Sequence, residues 1–180
     1  TPAFELLLDS VNLKVYRHMI DKSLDDLICD FNYIANSLQL VDSQMIDVPL
    51  FYTKQLIKEL IIFPLGCKPT RTNGKINSNS FLFHGPPGSG KTHAALAVKY
   101  HADALFFDVS PRNLERFKSK DELTKAFATA FRTARTYQPA IFYFDSAEEI
   151  FPIGKLPKGV KKNPNAVRLK KLLITYKSLI

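Results

Sequence analysis

The chain of 180 residues is 46% hydrophobic and 12% aromatic, a globular composition long enough for one domain with a sizeable core, or one domain with a helical extension. No stretch approaches the roughly 18 consecutive apolar residues of a membrane span, no signal-peptide pattern opens the sequence, and Cys29 and Cys67 are too few for a disulfide framework or a zinc site. The net charge of +8 sits at one end: Lys155, Lys158, Lys161, Lys162, Arg168, Lys170, Lys171 and Lys177 share residues 152–180 with no acid, while the other 17 of the 25 basic residues match the 17 acids.

In chain order, residues 3–41 read as helix, because Phe4, Leu7, Leu8, Val11, Val15, Met19, Leu24, Leu27, Ile28, Phe31, Ile34 and Leu38 recur at spacings near three and four, with Asp25 and Asp26 opposite. Residues 1–46 are therefore expected to form a helical extension, a hairpin or bent helix packed on a neighbour. They contain no Ile-Gln pattern of a calmodulin site. Thr1 rather than Met opens the sequence, so a piece of a longer protein is expected. A second helix is expected from about Tyr52 to Ile62, stopped by Pro64 and Gly66. The polar, turn-rich run 67–80 reads as a surface loop.

"FLFHG" (81–85) then reads as a short buried strand and "KTHAALAVKYHA" (91–102) as a helix. "ALFFDVS" (104–110) is a second buried strand. The following helix has a cap at Ser119, an acidic first turn, and Leu123, Phe127, Ala130, Phe131 and Ala134 on one face. "AIFYFD" (140–145) is a third buried strand, and "AVRLKKLLITYKSLI" (166–180) a basic amphipathic helix. Strands alternating with helices predict an α/β fold with a parallel sheet and flanking helices. His18, His84, His93 and His101 show no metal-ligand spacing.

Between the first strand and its helix lies Gly85-Pro86-Pro87-Gly88-Ser89-Gly90-Lys91-Thr92, a full match to G-x-x-x-x-G-K-[ST]. Glycines let a backbone wrap phosphate oxygens with its N–H groups pointing inward, and the helix that follows offers its positive end to the same anion. Lys91 suits the β- and γ-phosphates and the Thr92 hydroxyl suits Mg²⁺. Asp145, at the end of the third strand, is the matching magnesium acid. Taken alone, an Asp after an apolar run is a strand-ending turn residue; paired with an intact phosphate loop, it takes the metal role.

The order of helix ending "FPLG", loop, strand, "GPPGSGKT", strand, long helix ending "QP" and "IFYFD" resembles the AAA+ ATPases throughout residues 47–151. "IKELIIFPLG", "ALFFDVSPRNLERF", "FRTARTYQPAIFYFDSAEEIF" and "PKGVKKNPNAVRLKKLL" further resemble the IQ and AAA domain-containing proteins, known for a subunit of the nexin–dynein regulatory complex of ciliary axonemes. The resemblance implies that residues 47–180 are the N-terminal part of an AAA+ nucleotide-binding domain, with sensor-1, the arginine finger and the helical lid expected after residue 180. It implies ATP or ADP with Mg²⁺ as ligands, held by Gly85–Thr92 and, through water, by Asp145, with Asp47 and Val48 near the adenine. It also implies a gap in the sheet, where the sensor-1 strand of the family lies between the phosphate-loop strand and the Asp145 strand.

One residue departs from the family pattern. Ser146 stands where the family carries the glutamate that polarises the attacking water, and a serine hydroxyl is no base near neutral pH. Glu148 and Glu149 read as solvated residues of the kind the family carries there anyway. Slow or absent hydrolysis is therefore expected, and no catalytic residue is assigned. The basic segment 155–177 has three readings: a solvated loop and helix face, a contact for acidic tubulin surfaces if the ciliary resemblance holds, and nucleic acid, which ranks last for want of stacking aromatics. Two roles stay open: a structural, nucleotide-stabilised subunit among the proteins of a cytoplasmic axonemal complex, and a working ATPase that remodels protein partners.

Overall fold

The computed structural model of the protein describes residues 2–16, 18–28, 50–67, 80–151 and 164–177. These fall into two compact units, residues 1–19 with 105–180, and residues 20–104.

The first unit is built on two strands, β1 (Leu105–Asp108) and β2 (Ala140–Tyr143), paired in parallel with Leu105 opposite Ala140 and Asp108 opposite Tyr143. Parallel neighbours need a long crossover, supplied by the Lys120–Thr136 helix. Its start is fixed by a reciprocal capping box: the Ser119 hydroxyl accepts from the Asp121 N–H at 3.2 Å, and Glu122 accepts from the Ser119 N–H at 3.4 Å. Leu123, Phe127, Ala130, Phe131 and Ala134 all lie on its buried face, as their spacing predicts. Phe142 of β2 stacks between Phe131 at 4.3 Å and Phe107 at 5.1 Å, ring centre to ring centre. Adjacent strand residues point to opposite faces, so full burial of both Phe106 and Phe107 means that both faces of β1 are covered. β2 is half-buried along its whole length rather than buried as expected.

The N-terminal helix is shorter than its periodicity suggests. It runs Pro2–Asn12. Lys14 then takes a left-handed φ of 51°, and Tyr16 joins Phe107 in an antiparallel bridge, with the Asp108 N–H donating to the Val15 carbonyl at 3.0 Å. Val15 is fully buried as an extended residue beside β1, not as a helical one. Within the helix, the residue turned fully inward is Ser10, whose hydroxyl lies 2.8 Å from that of Thr133, while Phe4, Leu8 and Val11 stay exposed. The apolar spacing thus mixed residues that serve different packings. Residues 29–41 of the expected helix lie outside the described residues.

In the second unit, a helix begins at Leu50 and continues through a π-helical stretch, Lys58–Ile62, into a last turn, Phe63–Gly66. From sequence, Pro64 is the expected stop. The wider π turn relaxes the clash between a proline ring and the carbonyl four residues before, so the helix passes Pro64 and ends at Cys67. Residues 81–84 form no strand, and Phe81 and Leu82 are exposed. A strand exists only through a neighbour's backbone, and among the described residues none pairs with this run. The Lys91–Ala102 helix forms as expected, with Ala94, Ala95, Ala97 and Val98 buried.

Among the described residues no helix is long and apolar enough to cross a membrane.

Candidate phosphate-binding loop and magnesium acid

The loop from Gly85 to Gly90 turns at three glycines with positive φ: Gly85 at 152°, Gly88 at 81° and Gly90 at 85°. At two of them a side chain would also be crowded. A Cβ on Gly85 would meet the Ser89 Oγ at 3.0 Å, and one on Gly90 would meet the Leu27 Cδ2 at 3.2 Å. Gly90 is the cap of the Lys91–Ala102 helix, and its carbonyl accepts the first helical bond, from the Ala94 N–H at 2.8 Å.

Lys91 curls back into this turn. Its ammonium donates to the carbonyls of Gly85 at 2.9 Å and Pro86 at 2.8 Å, and lies 3.5 Å from the Ser89 Oγ. The N–H groups of Gly88 and Gly90 find no acceptor among the described residues. Residues 81–102 contain no Asp or Glu. A cation fixed inside a glycine turn, spare N–H groups and a helix N-terminus form a donor set that fits the oxygens of a phosphate. Thr92, in the first helical turn, is exposed.

A strap from the N-terminal region holds this helix in the same unit. The Lys99 ammonium pairs with Asp21 at 2.6 Å. His93 donates through Nε2 to the Ser23 carbonyl at 2.9 Å, since a carbonyl only accepts. His101 does the opposite: its Nε2 accepts the Leu24 N–H at 3.2 Å. Leu24 is fully buried at the start of a capped 3₁₀ turn, Leu24–Asp26, and Leu27 reaches the Gly90 turn. Two of the histidines that showed no metal spacing thus serve as hydrogen-bonding posts for the strap.

Asp145 belongs to the other unit, two residues past Tyr143 at the end of β2, and is exposed. Its N–H donates to the Ser110 Oγ at 3.0 Å, and its Oδ1 accepts from the Ser146 N–H at 3.0 Å. Ser146 takes a left-handed φ of 53° and caps a short helix, Ala147–Ile150. Glu148 and Glu149 in that helix are exposed. Reading single residues along the chain misses Ser110, because its link to Asp145 spans 35 positions; the one signal was the "D-V-S-P-R-N" stretch. Asp47, Val48, Lys155, Lys158, Lys161 and Lys162 lie outside the described residues. Lys170 and Lys171 are exposed on the Pro164–Lys177 helix, and the Lys170 ammonium sits 5.6 Å from the centre of the Phe151 ring.

Parallel strands with a helical crossover, a glycine turn around a lysine at a helix start and an acid at a strand end define the build of a P-loop nucleotide-binding domain, here incomplete. The chain belongs to the AAA family: residues 81–176 match the family described as "ATPase family associated with various cellular activities (AAA)". It is 31% identical to Fidgetin-like protein 1 of Drosophila melanogaster over 153 residues, covering 84% of this chain and 27% of that protein. It is 32% identical to Spastin of Gallus gallus over 150 residues, covering 83% of this chain and 23% of that one. With "Protein SUPPRESSOR OF K(+) TRANSPORT GROWTH DEFECT 1" of Arabidopsis thaliana it shares 34% over 97 residues, 54% of this chain and 22% of the other. The chain therefore spans about a quarter of the length of these relatives. The ciliary subfamily resemblance finds no counterpart among these three.

Proposed function

We infer that the chain binds ATP or ADP with Mg²⁺ and turns the nucleotide over slowly or not at all. The observation that carries the first half is Lys91, held by the loop's own oxygens in a glycine turn without a nearby acid in sequence. Gly85, Pro86, Pro87, Gly88, Ser89 and Gly90 would cradle the phosphates with their backbone, Lys91 would neutralise them, and Thr92 and Asp145 would hold the metal. Mg²⁺ supplies charge neutralisation at the phosphates when bound.

The second half rests on Ser146. Its hydroxyl cannot take a proton from water at neutral pH, and loss of a positioned base of this kind costs about 10² to 10⁴ in rate. The exposed pair Glu148 and Glu149 is the only acidic material that follows Asp145 in its stretch. The nucleotide then acts as a ligand that favours the folded state by mass action.

The finer reading is a structural or regulatory subunit of a ciliary axonemal complex, with the basic residues of 155–177 facing an acidic partner such as tubulin. It is supported by the family-like stretches of sequence and by the placement of the whole charge excess in residues 152–180. Titration of the protein with a fluorescent ATP analogue, with Lys91→Ala as control, tests binding. Cosedimentation with microtubules, before and after removal of the acidic tubulin tails, tests the partner.

A further inference from the structure

Asp108 and Ser110 are buried polar residues that the nucleotide reading leaves without a task, exposed to only 7% and 6%. Asp108 ends β1, and its Oδ1 accepts from both the Ser110 N–H at 3.1 Å and the Ser110 Oγ at 2.6 Å. The same Oγ lies 3.0 Å from the backbone nitrogen of Asp145. A hydroxyl carries one proton, and a backbone N–H only donates. The direction of the chain is thereby fixed: the Asp145 N–H donates to the Ser110 hydroxyl, and that hydroxyl donates to the Asp108 carboxylate. A short bond to a charged acceptor is stronger than a neutral one and locks the rotor.

The neighbouring residues hold this relay in place. Pro111 confines Ser110 to extended backbone, observed at φ −60° and ψ 144°, and opens the short Pro111–Leu114 helix. The Asn113 side chain donates to the Asp108 carbonyl at 2.6 Å. The Val109 N–H donates to the Tyr143 carbonyl at 3.0 Å, extending the parallel ladder by one rung toward Asp145. Each of the residues Asp108, Ser110, Pro111 and Asn113 thus contributes to fixing one backbone nitrogen of the neighbouring strand end.

We propose that Asp108 and Ser110 are positioning residues for the magnesium acid, setting the backbone at Asp145 and so the place of its carboxylate. This rests on the reading of Asp145 as the metal acid. Outer residues that orient a metal-holding group typically contribute about 10- to 100-fold to metal affinity.

The test is the gain in affinity that Mg²⁺ gives to a non-hydrolysable ATP analogue, measured by titration calorimetry in Mg²⁺ and in EDTA. Asp145→Asn sets the full loss of that gain. Ser110→Ala and Asp108→Ala are expected to cut the gain about tenfold and leave the affinity in EDTA unchanged. Asp108→Asn, which keeps an oxygen acceptor, is expected to retain most of it. Should alanine at either position unfold the protein, Ser110→Cys keeps the shape with only a weak hydrogen bond and is expected to lose the gain likewise. A wild-type gain in the Ser110 variants, with Asp145→Asn defective, overturns the positioning role alone. Equal losses with and without Mg²⁺ reduce the pair to structural support and overturn it too. A wild-type gain in Asp145→Asn overturns the metal assignment and this proposal together.

Discussion

Replacing Gly90 by alanine tests the shape of the candidate phosphate loop, because the structure sets the sign of the effect. Gly90 sits at φ 85°, where an L side chain costs about 1–2 kcal/mol. A Cβ there would also stand 3.2 Å from the Leu27 Cδ2, the far end of a half-buried and flexible side chain that can give by a few tenths of an ångström. Against this, alanine narrows the unfolded ensemble and returns roughly 0.4–1 kcal/mol. The net expectation is a loss of about 1 kcal/mol, a shift of about fivefold in the folding equilibrium. With a urea slope of about 1–3 kcal/mol/M, the midpoint should fall by about 0.3–1 M. Gly66→Ala is the internal control. Gly66 lies in a helical turn, has no positive φ and would meet nothing within 4 Å, so alanine there should raise stability by up to about 1 kcal/mol. Leu27→Ala in the Gly90→Ala background should recover only the part of the loss due to contact. A neutral or stabilising Gly90→Ala would refute the left-handed turn at the helix start, and with it the cradle built on that turn.

Three further outcomes follow from the geometry. Phe131→Ala removes the ring stacked at 4.3 Å on Phe142 in the core of the strand unit and should cost about 3–5 kcal/mol, read from chemical denaturation. Ser119→Ala deletes one arm of the capping box at the start of the Lys120–Thr136 helix and should cost about 1 kcal/mol by the same measurement, while Thr124→Ala on the same helix should cost far less. Ser146→Glu supplies the missing carboxylate at a position where any L residue already bears the left-handed strain. It should raise phosphate release by about 10²-fold or more with little change in stability, and an unchanged rate would show that Ser146 is not what limits turnover.

How much could be read from sequence depended on the range of the interactions involved. The Lys120–Thr136 helix was legible because all its causes are local: a capping serine, an acid three residues on, and apolar residues at helical spacing. The loop at Gly85–Thr92 was legible because only glycine suits its positive φ values. The N-terminal segment misled because spacing cannot see that Lys14 turns left-handed or that Val15 and Tyr16 are taken up by β1, more than ninety positions away. "FLFH" carries strand-forming residues, yet no neighbour among the described residues pairs with it, and pairing is a property of two segments. Pro64 ends a regular helix but not one widened beforehand by a π stretch. Asp145 could be picked out as a candidate metal acid by its place after an apolar strand, whereas its tie to Ser110 and Asp108 could not, being made only when β1 and β2 align.

The proposed role of this AAA chain is to keep its nucleotide and scarcely spend it. The most direct measurement is paired: nucleotide affinity by titration and steady-state phosphate release on the same preparation, for the wild-type protein and Lys91→Ala. The expected result is saturable binding that Lys91→Ala abolishes, with phosphate release in the wild type about 10² to 10⁴ below that of the Ser146→Glu variant. Rapid release by the wild type that Lys91→Ala eliminates would contradict it.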